Sequence, residues 1–418
     1  MVEIWVPYGK TEVPVTVNVE NLKGVLKPQN MKENPSNGDN DFSNMQIEFK
    51  ELCELVDKSD KVSICIEYMD GFEFLASSIN PIINELYKAG LKDDNISILL
   101  ATGEKERIDE GNISKFLKFP PPNINVQTHD CNSRDLTHVG STSSGNQIFL
   151  NKKFMDSTFR IIVSMGRPHY AAGYSGIERV ILPGLAGIEA ILFNTKISLN
   201  PDSKPGKLKG NPVYEDTKEV FEMIHPDYAI NTIFNGNMYL DKVFAGKAKD
   251  VIHESTSYIE SVSKIRIDEK QEVIILSPGG NFYDRNLYEA TNSLYNIHEL
   301  LEENIVILVS ECLDGYGNSA FYNFMRNSGN KKNSNELEKK INENFKIGYE
   351  KAYFLIKILE TIKIFLVSIL PNSYVKNLCG VKYAETANEA LRIASRTIGK
   401  DFNSIVIPYG SLTIPIFS

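Results

Sequence analysis

The sequence predicts an α/β protein built as two α/β domains with mainly parallel sheets and an interdomain cleft. Three observations carry this. The chain has 418 residues, more than one ordinary domain holds. From Lys61 onward, short apolar runs alternate with amphipathic helical stretches, the pattern of βαβ units and a parallel sheet. Around residues 263–271 the sequence turns polar, and a second such series starts at Glu272. The boundary is therefore expected near residue 268, with domains at 1–268 and 269–418.

Each element follows from its residues. The alternating stretch within residues 1–28 (EVPVTVNVE) suggests a short antiparallel ribbon. Residues 29–44, rich in Asn, Gly, Asp and Ser, read as a linker. Residues 62–68 form a buried strand, and 77–89 an amphipathic helix carrying Ile79, Ile82, Ile83 and Leu86, closed by Gly90. Further strands are expected at 96–102, 124–128 and 160–165. The second series places strands at 272–277, 305–310, 364–369 and 404–407, with helices at 334–345 and 348–361. A second polar loop, 326–335, interrupts it.

Composition bounds the function. Hydrophobic content of 42% and charged content of 24% are those of a soluble globular chain. A net charge of −9 argues against nucleic acid as a partner, because no basic excess is present to neutralise phosphates. A locally positive pocket for a small anion remains compatible with it. The five cysteines are dispersed, with no C-x-x-C pair, so a reduced, cytoplasmic setting is expected. The longest apolar run, 362–370, is too short for a membrane span.

Chemistry concentrates in residues 166–187, GRPHYAAGYSGIERVILPGLAG. Pro168 should end regular pairing of the preceding strand, His169 adds a titratable group, and Gly173 and Gly176 let the chain turn sharply. Ser175 is the expected N-cap of the next helix, whose free N–H groups would favour an anion. Arg179, about one turn in, adds positive charge. Gly173, Ser175, Gly176 and Arg179 are thus candidate anion or cofactor contacts, and His169 a candidate acid or base. A purely structural turn is the competing reading; a histidine and an arginine on the same crossing favour a site. By the rule that ligands bind beyond the carboxyl ends of parallel strands, Asp70, the loop 103–107 and the loop 166–179 should share one cleft.

This segment resembles the signature of the lactate racemase family, enzymes that use a nickel-pincer nucleotide. That signature runs roughly G-x-x-x-P-H-Y-x-A-G-Y-S-G-G-x-K, followed by L-P-G-x-A-G. Further ordered matches extend nearly end to end: THDC at 128–131, GSTSSG at 140–145, SPGGNFYDRNLYEA at 277–290, SECLDGYG at 310–317, GYEKA at 348–352 and PYGSLTIP at 408–415. The resemblance implies hydride abstraction from carbon 2 of a hydroxy acid, with two bases, one on each face.

Residue by residue, the resemblance implies that His169 is one base. Lys105, in ATGEKER, stands where the second base, a histidine, is expected. A lysine serves as a base only if its pKa is depressed; otherwise Lys105 is a solvated loop residue. Asp70 matches the family's D-x-T-R-P, but Glu73 replaces the arginine. Arg179 stands in place of the lysine that anchors the cofactor, and Thr195 in place of the histidine that binds nickel. Glu289 and Asn292 replace a Q-x-x-K pair.

The expectation is a lactate racemase-like protein acting on a small anionic substrate or nucleotide, by resemblance a 2-hydroxy acid racemase or epimerase. The nickel-pincer nucleotide is expected to be absent or held non-covalently. Two rivals stay open: an anion- or nucleotide-binding pseudoenzyme, and a different enzyme using His169 with Lys105 or Asp70 in the same cleft.

Overall fold

The computed structural model describes residues 1–31, 49, 52–69, 71–73, 75–105, 108–117, 123–328, 334–378 and 380–418. Asp70 and most of the linker 29–44 lie outside these, as does the centre of the loop 326–335. Two sheets dominate. The first runs, in spatial order, Leu240–Lys247, Tyr228–Phe234, Phe159–His169, Val62–Glu67, Ile96–Ala101 and Asn125–Thr128. All of its neighbours are parallel except Leu240–Lys247 against Tyr228–Phe234. The second runs Lys382–Ala384, Lys363–Val367, Ile305–Val309, Val273–Leu276, Ser404–Ile407 and Leu22–Val25, parallel throughout.

The apolar runs behave as buried parallel strands should. Ile96–Ala101, Tyr228–Phe234, Val273–Leu276 and Ile305–Val309 are buried at every position, because helices cover both faces. The helix Ile79–Lys88 puts Ile79, Ile82, Ile83 and Leu86 into the core beneath Ile64, Ile66 and Ile98.

Three local expectations change. Pairing does not stop before Pro168. The strand Phe159–His169 continues through it, and Gly173–Ser175 folds back antiparallel with Tyr174 opposite Pro168. This return is a three-residue ribbon at the strand's end, where a missing N–H costs less than in a central ladder. Ser175 is not the helix N-cap, since it lies in the return strand. The cap of the single-turn helix Ile177–Ile181 is Gly176, in extended backbone.

The third change concerns the amino terminus. The ribbon Val2–Tyr8 with Thr11–Val17 forms as expected, but it belongs physically to the second half. Val6, Val15 and Val17 pack with Val273, Ile275 and Ile307, and Leu22–Val25 adds the edge strand beside Ser404–Ile407. Polar bonds fix it there: Gly9 N–H donates to Asp284 at 2.8 Å, and Ser277 Oγ donates to the Pro7 carbonyl at 2.6 Å. A ribbon is readable locally, whereas the surface that receives its apolar face is not.

The halves meet along an apolar seam. Phe72, Met165, Phe234 and Met238 of the first pack with Tyr283, Tyr409 and Leu412 of the second. Gly236 is needed in that seam, because a Cβ there would stand 2.5 Å from the Tyr409 ring, whose hydroxyl bonds Asn237 at 2.8 Å. Gly236→Val is expected to destabilise the fold by roughly 1–3 kcal/mol through overpacking, seen as a lower urea midpoint. An unchanged midpoint would show that the seam yields freely.

Candidate active site

The carboxyl ends of the first sheet face the second half across a cleft of 750 Å³. Its walls include Lys105, His169, Ser175, Arg179 and Thr195 from the first half. The second half supplies Tyr283, Tyr288, Glu289, Asn292, Asn296 and Lys351. Lys105, His169, Ser175 and Arg179 are thus brought together from two separate loops. Gly173 and Gly176 are not in the wall. Each is buried behind it, where Gly173 (φ +81°) lets the chain pass the Lys207 carbonyl, 2.3 Å from where a Cβ would be. At Gly176, a Cβ would stand 3.0 Å from Asn231 and 3.4 Å from Glu178, so this glycine too serves close packing. Glu73, which replaces the family's arginine, lies outside the cleft wall and pairs with Lys115 at 3.5 Å.

Backbone bonds hold the two loops against each other. Gly103 (φ +60°) donates its N–H to the Gly184 carbonyl at 3.1 Å, joining the ATG turn to the LPG stretch. Glu67, at the end of its strand, pairs with Arg167 at 2.8 Å and accepts the Met165 N–H at 3.0 Å. Arg167 is therefore neutralised by its own sheet.

Arg179 is different. Its Nη1 is buried and has no hydrogen-bond partner among the described residues. Burial pulls the guanidinium below its usual pKa, with Arg167 adding to the effect. An arginine so placed still keeps its proton near neutrality. An unpartnered buried donor of this kind is costly unless a ligand satisfies it.

His169 carries a definite tautomer. Its Nδ1 accepts the backbone N–H groups of Ala171 at 3.2 Å and Ala172 at 3.0 Å. A nitrogen accepting two N–H bonds bears no proton, so the neutral ring carries its proton on Nε2. Burial, then Arg179, Arg167 and Lys351, hold the imidazole well below its ordinary pKa. The ring therefore stays neutral and presents an N–H donor. Accepting a proton at Nε2 would require the other tautomer and the loss of both backbone bonds.

Lys105 is exposed at the rim, its Nζ 5.6 Å from the Tyr68 ring centroid. The deep lysine is Lys351, which the sequence reading matched in GYEKA but gave no role. It is 2% exposed, and its Nζ donates to the Tyr288 carbonyl at 3.0 Å. The rings of Tyr288 and Tyr170 lie 3.8 and 4.8 Å from it. Burial lowers its pKa against the opposing pull of Glu289, Glu350 and Glu104. A sequence signal existed: Lys351 lies four residues before buried Leu355 on the helix Tyr349–Ile358, where an apolar residue is expected. Asn194, retained beside Thr195, is structural, since its amide donates to Asp216 at 2.9 Å.

Two opposed α/β halves, with acid–base and cationic side chains gathered at their facing sheet ends, define a small-molecule enzyme fold. Residues 8–206 match the family model for the lactate racemase N-terminal domain, and residues 267–414 that for its C-terminal domain. The chain belongs to the lactate racemase family, and is a lactate racemase-like protein. It is 25% identical to the lactate racemase of Thermoanaerobacterium thermosaccharolyticum, covering 98% of both chains. To that of Lactiplantibacillus plantarum it is 23% identical, covering 77% of this chain and 78% of the other. The solved lactate racemase apoprotein of T. thermosaccharolyticum superposes with a TM-score of 0.87 over 99% of this chain and all of the other, at 22% identity. That likeness confirms the two-domain α/β fold. No described helix is long and apolar enough to cross a membrane.

The tautomer of His169 can be observed directly. Nitrogen-resolved NMR of the ring should show an unprotonated Nδ1 and a neutral ring from pH 8 down past pH 6. Because neighbouring cations depress its pKa, Arg179→Ala should move the titration upward. A ring that titrates near its ordinary value in the unaltered protein would contradict this arrangement.

Proposed function

We propose that the cleft binds a small 2-hydroxy acid as its carboxylate and acts on the configuration at carbon 2, as a racemase or epimerase, with the hydrogen of carbon 2 passing as hydride to a non-covalently held acceptor and returning to either face of the planar keto acid. The observation that carries this reading is Arg179, a cation in the cleft wall near His169 whose buried Nη1 has no hydrogen-bond partner among the described residues. A carboxylate would satisfy the guanidinium, with charge-assisted bonds stronger than neutral ones. The Nε2–H of His169 would then donate a hydrogen bond to the oxygen on carbon 2 and stabilise negative charge there as the hydroxyl proton passes to water. Phe72 and Tyr283 of the apolar seam line the same cleft, and apolar surroundings would strengthen both contacts.

The residues do not fit a covalently anchored nickel-pincer nucleotide. Arg179 offers a protonated guanidinium where a nucleophilic amine is needed. Thr195 offers a hydroxyl where a soft, thiolate-supported nickel would need an imidazole. Among the described residues, no group of three or more histidines, cysteines or carboxylates could hold a metal instead. Any nucleotide in the cleft would be held by charge and stacking alone.

Two measurements test the reading. Enantiopure 2-hydroxy acids incubated with the protein should lose enantiomeric purity on chiral chromatography. His169→Gln should slow that conversion by about 10²–10³-fold, the usual cost of losing a donor to a developing oxyanion. Arg179→Ala should weaken binding of the acid at least ~10-fold. If no 2-hydroxy acid binds or is converted, the assignment fails.

The cofactor reading has its own test. Protein made alongside the cofactor's biosynthetic enzymes should have an intact mass equal to that of its sequence, with nickel far below one per chain. A mass excess mapping to Arg179 would restore covalent anchoring.

A further inference from the structure

We infer that one helix face in the cleft, formed by Glu289, Asn292 and Asn296, selects 2-hydroxy acids whose tail carries an N–H or O–H donor. This rests on the 2-hydroxy acid reading above. The three residues stand at i, i+3 and i+7 on the helix Leu287–Asn296, so they share a face, and all three line the cleft.

Hydrogen-bond accounting gives this face its character. The Asn292 amide donates to Glu289 Oε2 at 3.1 Å, and the Asn296 amide donates to the Gly410 carbonyl at 2.9 Å. Each amide nitrogen therefore has one of its two N–H groups bonded within the protein. Asn292 Oδ1 and Asn296 Oδ1 have no partner among the described residues, and Asn296 is only 2% exposed. Glu289 adds a carboxylate. Burial opposes its ionisation, but Lys351, Lys105 and Arg167 outweigh burial and hold its pKa below the ordinary value. What the face leaves without a partner among the described residues is two buried amide oxygens, set beside the Glu289 carboxylate.

Each buried acceptor without a partner carries the full desolvation cost of its group. A methyl tail such as that of lactate leaves that cost standing. A tail bearing a hydroxyl or ammonium group removes it. The two walls are thus complementary in polarity. Arg179 and the His169 Nε2–H of the first half donate, while the Glu289–Asn296 face of the second half accepts. A 2-hydroxy acid with its carboxylate on Arg179 has its tail left for the second wall.

Calorimetry with four acids tests this. Lactate has a short apolar tail. 2-Hydroxypentanoate, 2,4-dihydroxybutanoate and 4-amino-2-hydroxybutanoate have equally long tails ending in methyl, hydroxyl and ammonium. At least one donor-tailed acid should bind ~10-fold or more tightly than 2-hydroxypentanoate, since sites built for a hydrogen bond reject analogues lacking it. Asn292→Ala and Glu289→Gln, both away from the Gly410 contact, should each reduce that preference. Glu289→Gln should cost the ammonium acid more than the hydroxyl acid if charge is what the face reads, and equally if it reads donors alone. Asn296→Leu should also reduce the preference, with circular dichroism checking that the fold survives.

Equal affinity for all three long-tailed acids in the unaltered protein overturns the inference and leaves the 2-hydroxy acid reading intact. A preference that survives both Asn292→Ala and Glu289→Gln overturns it as well. Binding of none of the four acids removes the reading and the inference together.

Discussion

The cleft is organised by the cost of burying cations. Taking a guanidinium or ammonium from water is expensive unless something replaces its hydration. Arg167 recovers that cost from Glu67 at 2.8 Å. Lys351 recovers part of it from the Tyr288 carbonyl and from two aromatic faces. Arg179 keeps one buried nitrogen unsatisfied.

Positive charge in the cleft is reduced rather than lost. Asn292 stands where the family resemblance places a lysine, yet Lys351 from the neighbouring helix reaches the same cleft. Its charge acts on both Glu289 and His169. Arg179 likewise keeps a cation at the position of the anchoring lysine while giving up nucleophilic chemistry. These replacements preserve a field that favours an anion near His169, and they change what can be bonded covalently there. Family membership and an altered donor set are therefore compatible.

Neither half forms the site alone. The first sheet ends in His169 and Arg179, the second half brings Lys351 and the Glu289–Asn296 face, and the Phe72–Tyr409 seam fixes their separation. The amino-terminal ribbon strengthens this arrangement from a distance. It closes the second sheet through Leu22–Val25 and bonds Asp284, which also accepts the Glu311 N–H at 3.2 Å.

The sequence by itself determined the fold class, the two α/β series and most of the strands. Burial on both faces of a parallel sheet leaves a local mark, an unbroken apolar run such as ISILLA or VIIL. It also determined that Lys105, His169 and Arg179 follow strand ends, which is enough to group them at one edge of a sheet. Tertiary structure alone decided the rest. That Gly173 serves a close approach to Lys207 depends on a segment more than thirty residues away. The His169 tautomer depends on where two backbone N–H groups point. Lys351 looked like one charged residue on an amphipathic helix until packing placed it between two tyrosine rings. Hydrophobic periodicity reports which face is buried. It carries no information about which distant polar groups that burial brings within hydrogen-bond reach, and the chemistry of this cleft is set by those groups.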